Sequence, residues 1–199
     1  MSKSKILVQA VTPIVNRLNE KIKVLGLRRD IYLNSVFRDE VEHLVNELGG
    51  KCNSSKAKDY LVSKLRILPT TPVSILLDKD VIRTIDDACS SLNMARDCFI
   101  NRIFFFLAAE AKHLKAIRIP VGALPIHLDD ATVNPLDIAS QFLRNPFAEI
   151  RQFIQAEDTG SGLYSWSFGG RLLGLNCHIS NEYVPETKEY NDLESLFSV

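Results

Sequence analysis

The 199-residue chain has only four cysteines, at 52, 89, 98 and 177, and none forms a C-x-x-C pair. That scarcity argues against a zinc ribbon and against a disulfide scaffold. Long apolar runs are also missing. The longest, Ile103 to Ala109, is far short of the roughly 20 residues a membrane span needs. The opening MSKSKILVQAV has no apolar core of a signal peptide, so a cytoplasmic protein without membrane contact is expected. His43, His113 and His127 show no metal-ligand spacing, and Asp129-Asp130 reads as a solvated turn. Cys177-His178 is the one adjacent nucleophile–base pair, but neighbours on a strand point to opposite faces. No convergent acid, base or nucleophile set is present. The expectation is a non-enzyme with no metal and no cofactor.

Net charge is also lacking, but the zero sum hides an asymmetry. Residues 1–120 carry 20 Lys+Arg against 13 Asp+Glu, or +7, and residues 121–199 carry 4 against 11, or −7. A basic first part suits a polyanionic partner, and an acidic second part does not.

The informative stretch is Pro72 to Leu107. Val73, Ile75 and Leu77 alternate with Ser74 and Leu76, the period of a strand. Asp78 is placed to cap a helix starting at Lys79, with Val81, Ile82, Ile85, Cys89 and Leu92 on one face. Asn93 breaks that helix, and a second begins near Arg96, burying Phe99, Ile100, Ile103, Phe104 and Leu107. So short a strand needs a partner to be stable.

The chain supplies one at an ungapped offset of 67 residues. Ile6, Val8 and Ala10 fall on Val73, Ile75 and Leu77. Thr12-Pro13 is a helix start, read as a capping hydroxyl followed by proline at the first helical position. Ile14, Val15, Leu18, Ile22 and Leu25 form its apolar face, and Gly26 ends it. The next helix, from Arg29, has Ile31, Tyr32, Leu33, Val36, Phe37, Val41 and Leu44 as apolar positions. LRRDIYLNSVF lies over MARDCFINRIF, with Arg29/Arg96, Asp30/Asp97, Asn34/Asn101 and Phe37/Phe104 identical.

Two strand–helix–helix units of this kind resemble the ribbon-helix-helix (Arc/MetJ/CopG-like) DNA-binding family. The resemblance is carried by VSILL, IDDACSSLN and MARDCFINRI in the second copy, and by ILVQA and LGLRRDIYLNSV in the first. It implies a mainly α fold, a tandem ribbon-helix-helix pseudo-dimer whose two strands form an antiparallel ribbon that enters the DNA major groove. The outward ribbon residues would be Lys5, Leu7 and Gln9 with Pro72, Ser74 and Leu76. Gln9 can read adenine, Lys5 guanine or a phosphate, and Ser74 several base edges, whereas Leu7 and Leu76 can meet only a thymine methyl. The resemblance also places backbone phosphate at the start of each second helix, which suits Arg28, Arg29 and Arg96. Asp30 and Asp97 would compete for the same N–H groups, and an acidic first turn also stabilises a helix by about 0.3–1 kcal/mol. Asn34 and Asn101 are placed to hydrogen-bond across the pseudo-twofold.

The expected organisation is therefore a first repeat over 1–48, a basic linker over 49–71, a second repeat over 72–114 and an acidic α+β carboxy-terminal module over 115–199. The linker holds a helical segment, KAKDYLVSKLRIL. The module is read as short helices over 135–144 and 146–156, then a β-hairpin formed by LYSWSF and RLLGLNCHI. Phe104-Phe105-Phe106 exceeds one helix face, so Phe105 or Phe106 should meet the carboxy-terminal module or another chain, favouring a tight contact or an oligomer. The expected function is a sequence-specific transcriptional regulator, a repressor, acting on double-stranded DNA, with the carboxy-terminal module for self-association or a protein partner. The alternatives are a protein-binding antitoxin or assembly module on the same fold, and a conjugation accessory protein.

Overall fold

A computed structural model of the chain describes residues 2–109, 113, 147, 148, 150, 151, 154, 162–165 and 173–179. The chain runs β1 (Lys3–Val11), α1 (Thr12–Val24), α2 (Arg29–Leu48), α3 (Ser55–Ile67), β2 (Thr70–Asp78), α4 (Lys79–Ser91) and α5 (Arg96–Ala108), with a 3-10 turn at Leu173–Leu175. The fold is mainly helical around one two-stranded antiparallel sheet. The first residues of β1 and β2, of α1 and α4, and of α2 and α5 are each 67 positions apart. β2 is longer than the expected core of Val73 to Leu77, because pairing with β1 continues out to Thr70 and Asp78.

The register runs from Lys3↔Asp78 to Val11↔Thr70. It pairs Leu7 with Ser74, which are themselves 67 apart, so that pair is the centre of the ribbon. Ile6, Val8, Ala10, Ile75 and Leu77 face the core, as their alternation predicts. Helices pack crosswise, α1 against α5 and α2 against α4, so the two strand–helix–helix units interlock. Phe37 and Phe104 meet in the middle with ring centroids 6.2 Å apart.

A two-stranded ribbon has two free edges, each a row of unpaired backbone groups. Side chains from the opposite unit tie part of each edge. Asn101 Oδ1 accepts from the Val11 N–H at 2.8 Å, and Asn34 Oδ1 accepts from the Asp78 N–H at 2.8 Å. Asn101 also donates to the Gln9 carbonyl at 2.8 Å. The helix breaks match as well. Gly26 and Asn93 have φ of +65° and +48°. Leu27 and Met94, the residues after them, donate back to Ile22 and Cys89 in the Schellman pattern.

Several local expectations are corrected. Asp78 stands at the N-cap of α4, but its side chain does not cap it. The carboxylate instead accepts from Asn34 at 3.0 Å and from Arg38 at 3.2 Å. Val11, not Thr12, holds the N-cap of α1, with no side-chain cap bond. Thr12 instead donates its N–H to the Pro69 carbonyl at 2.8 Å. Ile31 is not a core residue, since it is 54% exposed.

The linker's helical segment is α3, capped by the Ser54 side chain accepting from the Ala57 N–H at 3.1 Å. Phe105 and Phe106 are both buried, and Phe106 packs edge-on against Phe147 at 6.4 Å, as the aromatic run required. Phe147, Ile150 and Ile154 are buried on helical residues within 146–156, and they share one core with the residues before 110. Leu173–Leu175 is a 3-10 turn and Leu163 to Ser165 a turn, so these residues of the expected hairpin are not strands. The reason is their bonding: the Leu163 and Leu175 carbonyls accept from the buried guanidinium of Arg102 instead of from a neighbouring strand. The helix expected over 135–144 lies outside the described residues. Among the described residues no helix is long and apolar enough to cross a membrane.

Candidate nucleic-acid interface

The ribbon's outer face is the one surface where the predicted site residues converge. Nine residues at about 3.3 Å each make it about 30 Å long. Lys5, Leu7, Gln9, Pro72 and Ser74 are exposed and Leu76 is half-buried. The register sets Lys5 beside Leu76, Leu7 beside Ser74 and Gln9 beside Pro72. Leu7, at the centre, is 60% exposed. Gln9 is fixed by its backbone, whose N–H goes to Asp97 Oδ2 at 3.2 Å while its carbonyl takes Asn101. Its side-chain amide is left on the outer face.

The three arginines at the second-helix starts separate into two kinds. Arg28 is exposed at the N-cap of α2 and, among the described residues, has no ion-pair partner. Arg29 is held by Asp30 at 2.9 Å and donates to the Ser74 carbonyl at 2.8 Å, stitching α2 to the β2 edge. Arg96 is held by Asp86 at 3.1 Å. Only Arg28 of the three has its whole guanidinium available. Asp97 does not compete for helix N–H groups, because its carboxylate takes the Gln9 N–H instead. Burial raises the Asp97 carboxyl above its ordinary range, opposed by that Gln9 bond and by Arg96.

One feature was not found by sequence reasoning. A cleft of about 500 Å³ opens at the end of the ribbon, lined by Gln9, Val62, Leu65, Arg66, Thr70, Ala95, Arg96 and Asp97. Three elements make it: the ribbon end, the last turns of α3 and the start of α5. Arg66 is exposed and, among the described residues, unpaired. The basic composition of the linker hinted at it, but its position beside Gln9 depends on how α3 packs.

The remaining polar chemistry is internal. Glu40, buried on α2, accepts from Arg151 at 3.1 Å and from the Tyr164 hydroxyl at 2.5 Å. Glu47 accepts from the N–H groups of Tyr164 and Ser165 at 2.5 and 2.6 Å. Cys177 is buried, its thiol pushed up to about 12, and burial lowers the His178 pKa. Burial raises Cys89 to about 12 and Cys98 higher still. Such thiols stay protonated and unreactive near neutral pH. Among the described residues no group of three or more His, Cys, Asp or Glu could hold a metal ion. Comparison with protein-family models, curated proteins and solved structures finds no match.

Proposed function

We propose that the chain is a sequence-specific DNA-binding transcriptional regulator, acting as a repressor. Its two strand–helix–helix units are tandem ribbon-helix-helix repeats forming a pseudo-dimer within one chain, and the β1–β2 ribbon enters the major groove. One observation carries this reading: a single ribbon presents Lys5, Leu7, Gln9, Ser74 and Leu76 together on its outer face, with each edge tied by an asparagine from the opposite unit. A two-stranded ribbon fits the major groove, which is about 12 Å wide. Gln9 is the adenine reader, Lys5 reaches guanine or phosphate, and Leu7 and Leu76 meet thymine methyls. Arg28 contacts the backbone, while Arg29 and Arg96 act mainly by holding the frame.

Gel-shift titration against the DNA upstream of its own gene tests this. Saturable binding that weakens steeply with salt is expected, and equal affinity for random duplex would reject it. Gln9→Ala should relax preference at one base position, by about 1–3 kcal/mol. Arg28→Ala should weaken all sequences alike.

The apolar residues of the face, Leu7, Pro72 and Leu76, favour a second reading: a protein-binding antitoxin or assembly module on the same fold. Recovery of a stoichiometric protein partner without DNA, lost in Leu7→Lys, would select it. A conjugation accessory protein would differ only in the DNA it recognises.

A further inference from the structure

The cleft at the ribbon end makes the interface asymmetric. We propose that it holds a backbone phosphate of the bound DNA, gripped by Arg66 from α3, a contact beyond the ribbon and additional to that of Arg28; this rests on the DNA-binding reading above. The path of the chain supports it. α3 ends at Ile67, and only Leu68 and Pro69 separate it from β2, with the Thr12 N–H anchoring the Pro69 carbonyl at 2.8 Å. Arg66 is thereby tied to the end of the ribbon where Gln9 pairs with Pro72.

The cleft's charges are distributed unevenly. Arg96 is shared with Asp86. Asp97, the one carboxylate in the lining, spends an oxygen on the Gln9 N–H. Arg66 is left as the uncommitted cation, with Thr70 also in the lining and Val62, Leu65 and Ala95 as its apolar part. A phosphodiester between two sugars matches this, with one negative charge and two acceptor oxygens flanked by weakly polar surface. At the other ribbon end, where Lys3 pairs with Asp78, no helix among the described residues stands where α3 stands here.

Arg66→Ala, exposed and expected to fold, is compared with the full-length wild type on the same operator. One lost phosphate contact lowers the slope of log K against log salt by about 0.9, which from 1 M down to 0.15 M is about fivefold in affinity. Phosphate-ethylation interference should show a flanking position that vanishes in Arg66→Ala and persists in Arg28→Ala. If the wild type shows no operator preference, the DNA-binding reading itself fails. If operator binding persists with Gln9-dependent preference but Arg66→Ala leaves slope and footprint unchanged, the cleft assignment alone is overturned. An Arg66-dependent thermal shift with inorganic phosphate, combined with DNA binding indifferent to Arg66, would also overturn it in favour of a free anion.

Discussion

The unit β1–α1–α2 and the unit β2–α4–α5 share a frame and differ in what covers them. Positions 67 apart keep the frame: Gly26 and Asn93 in the left-handed turn, Asn34 and Asn101 on the ribbon edges, Phe37 and Phe104 in the centre. Elsewhere they diverge. Ile31 is 54% exposed, whereas Cys98, 67 residues on, is 1% exposed beneath Cys177, whose thiol reaches its carbonyl. Ser35 is exposed, whereas Arg102 at the matching position is wholly buried and bonded to the Leu163 and Leu175 carbonyls. Asn53, ahead of α3, joins this covering by donating to the Cys177 carbonyl at 2.9 Å and taking the Asn93 amide at 2.8 Å. A shared frame can thus be kept by a few turn, edge and centre residues, while the outer faces of the two units answer to whatever packs on them.

The largest expected effect tests whether the halves share one core. Phe37→Ala and Phe104→Ala should each cost about 3–5 kcal/mol in urea unfolding. The two should be strongly non-additive in a double mutant, since the rings touch. Next, Arg102→Leu leaves the Leu163 and Leu175 carbonyls unsatisfied and should cost about 3 kcal/mol. Ser35→Ala at the matching exposed site should stay within about 0.5 kcal/mol. Equal effects would erase the claimed difference in covering.

Asn101→Ala removes bonds to Val11, Gln9 and Asp97 and should cost about 2–3 kcal/mol. Asn34→Ala should cost about 1–2 kcal/mol, because its edge is less buried. Hydrogen exchange should speed up at the Val11 amide in the first variant and at the Asp78 amide in the second.

The smallest effect is in pH. Lys21 on α1 donates to the Leu107 and Ala109 carbonyls at the end of α5, and burial lowers it to about 8. The unfolded chain then binds more protons between about 8 and 10.5, so stability should rise with pH by about 1 kcal/mol from 8 to 9. Above about 9 the buried thiols of Cys89 and Cys177, raised to about 12, work the other way. They stay protonated folded but ionise unfolded, so stability falls. Lys21→Met should abolish the rise and keep the fall. Position 88, its match, is Ala, so this titration belongs to one half only.

Much of the frame was legible because its signals are local. Strand alternation, the breaks at Gly26 and Asn93 and the faces of α1, α4 and α5 depend on residues a few positions apart. The offset of 67 then reported which long-range partners to expect, and the Asn34 and Asn101 bonds to the opposite strands follow from it. Asp78 was misread because capping residues and ion-pair acceptors use the same oxygens. Only the packing of Asn34 and Arg38 beside it decided which role won. The 3-10 turn at Leu173–Leu175 was misread as strand because a buried guanidinium, not a neighbouring strand, takes its carbonyl.

By itself the sequence determined the two strand–helix–helix units, their turns, and which ribbon residues face out, since each follows from backbone preference and hydrophobic period. The tertiary structure alone decided which arginines are uncommitted, which half is covered and where Arg66 stands beside Gln9. Those depend on side chains far apart in the chain competing for the same acceptors, and no local pattern records the outcome of that competition.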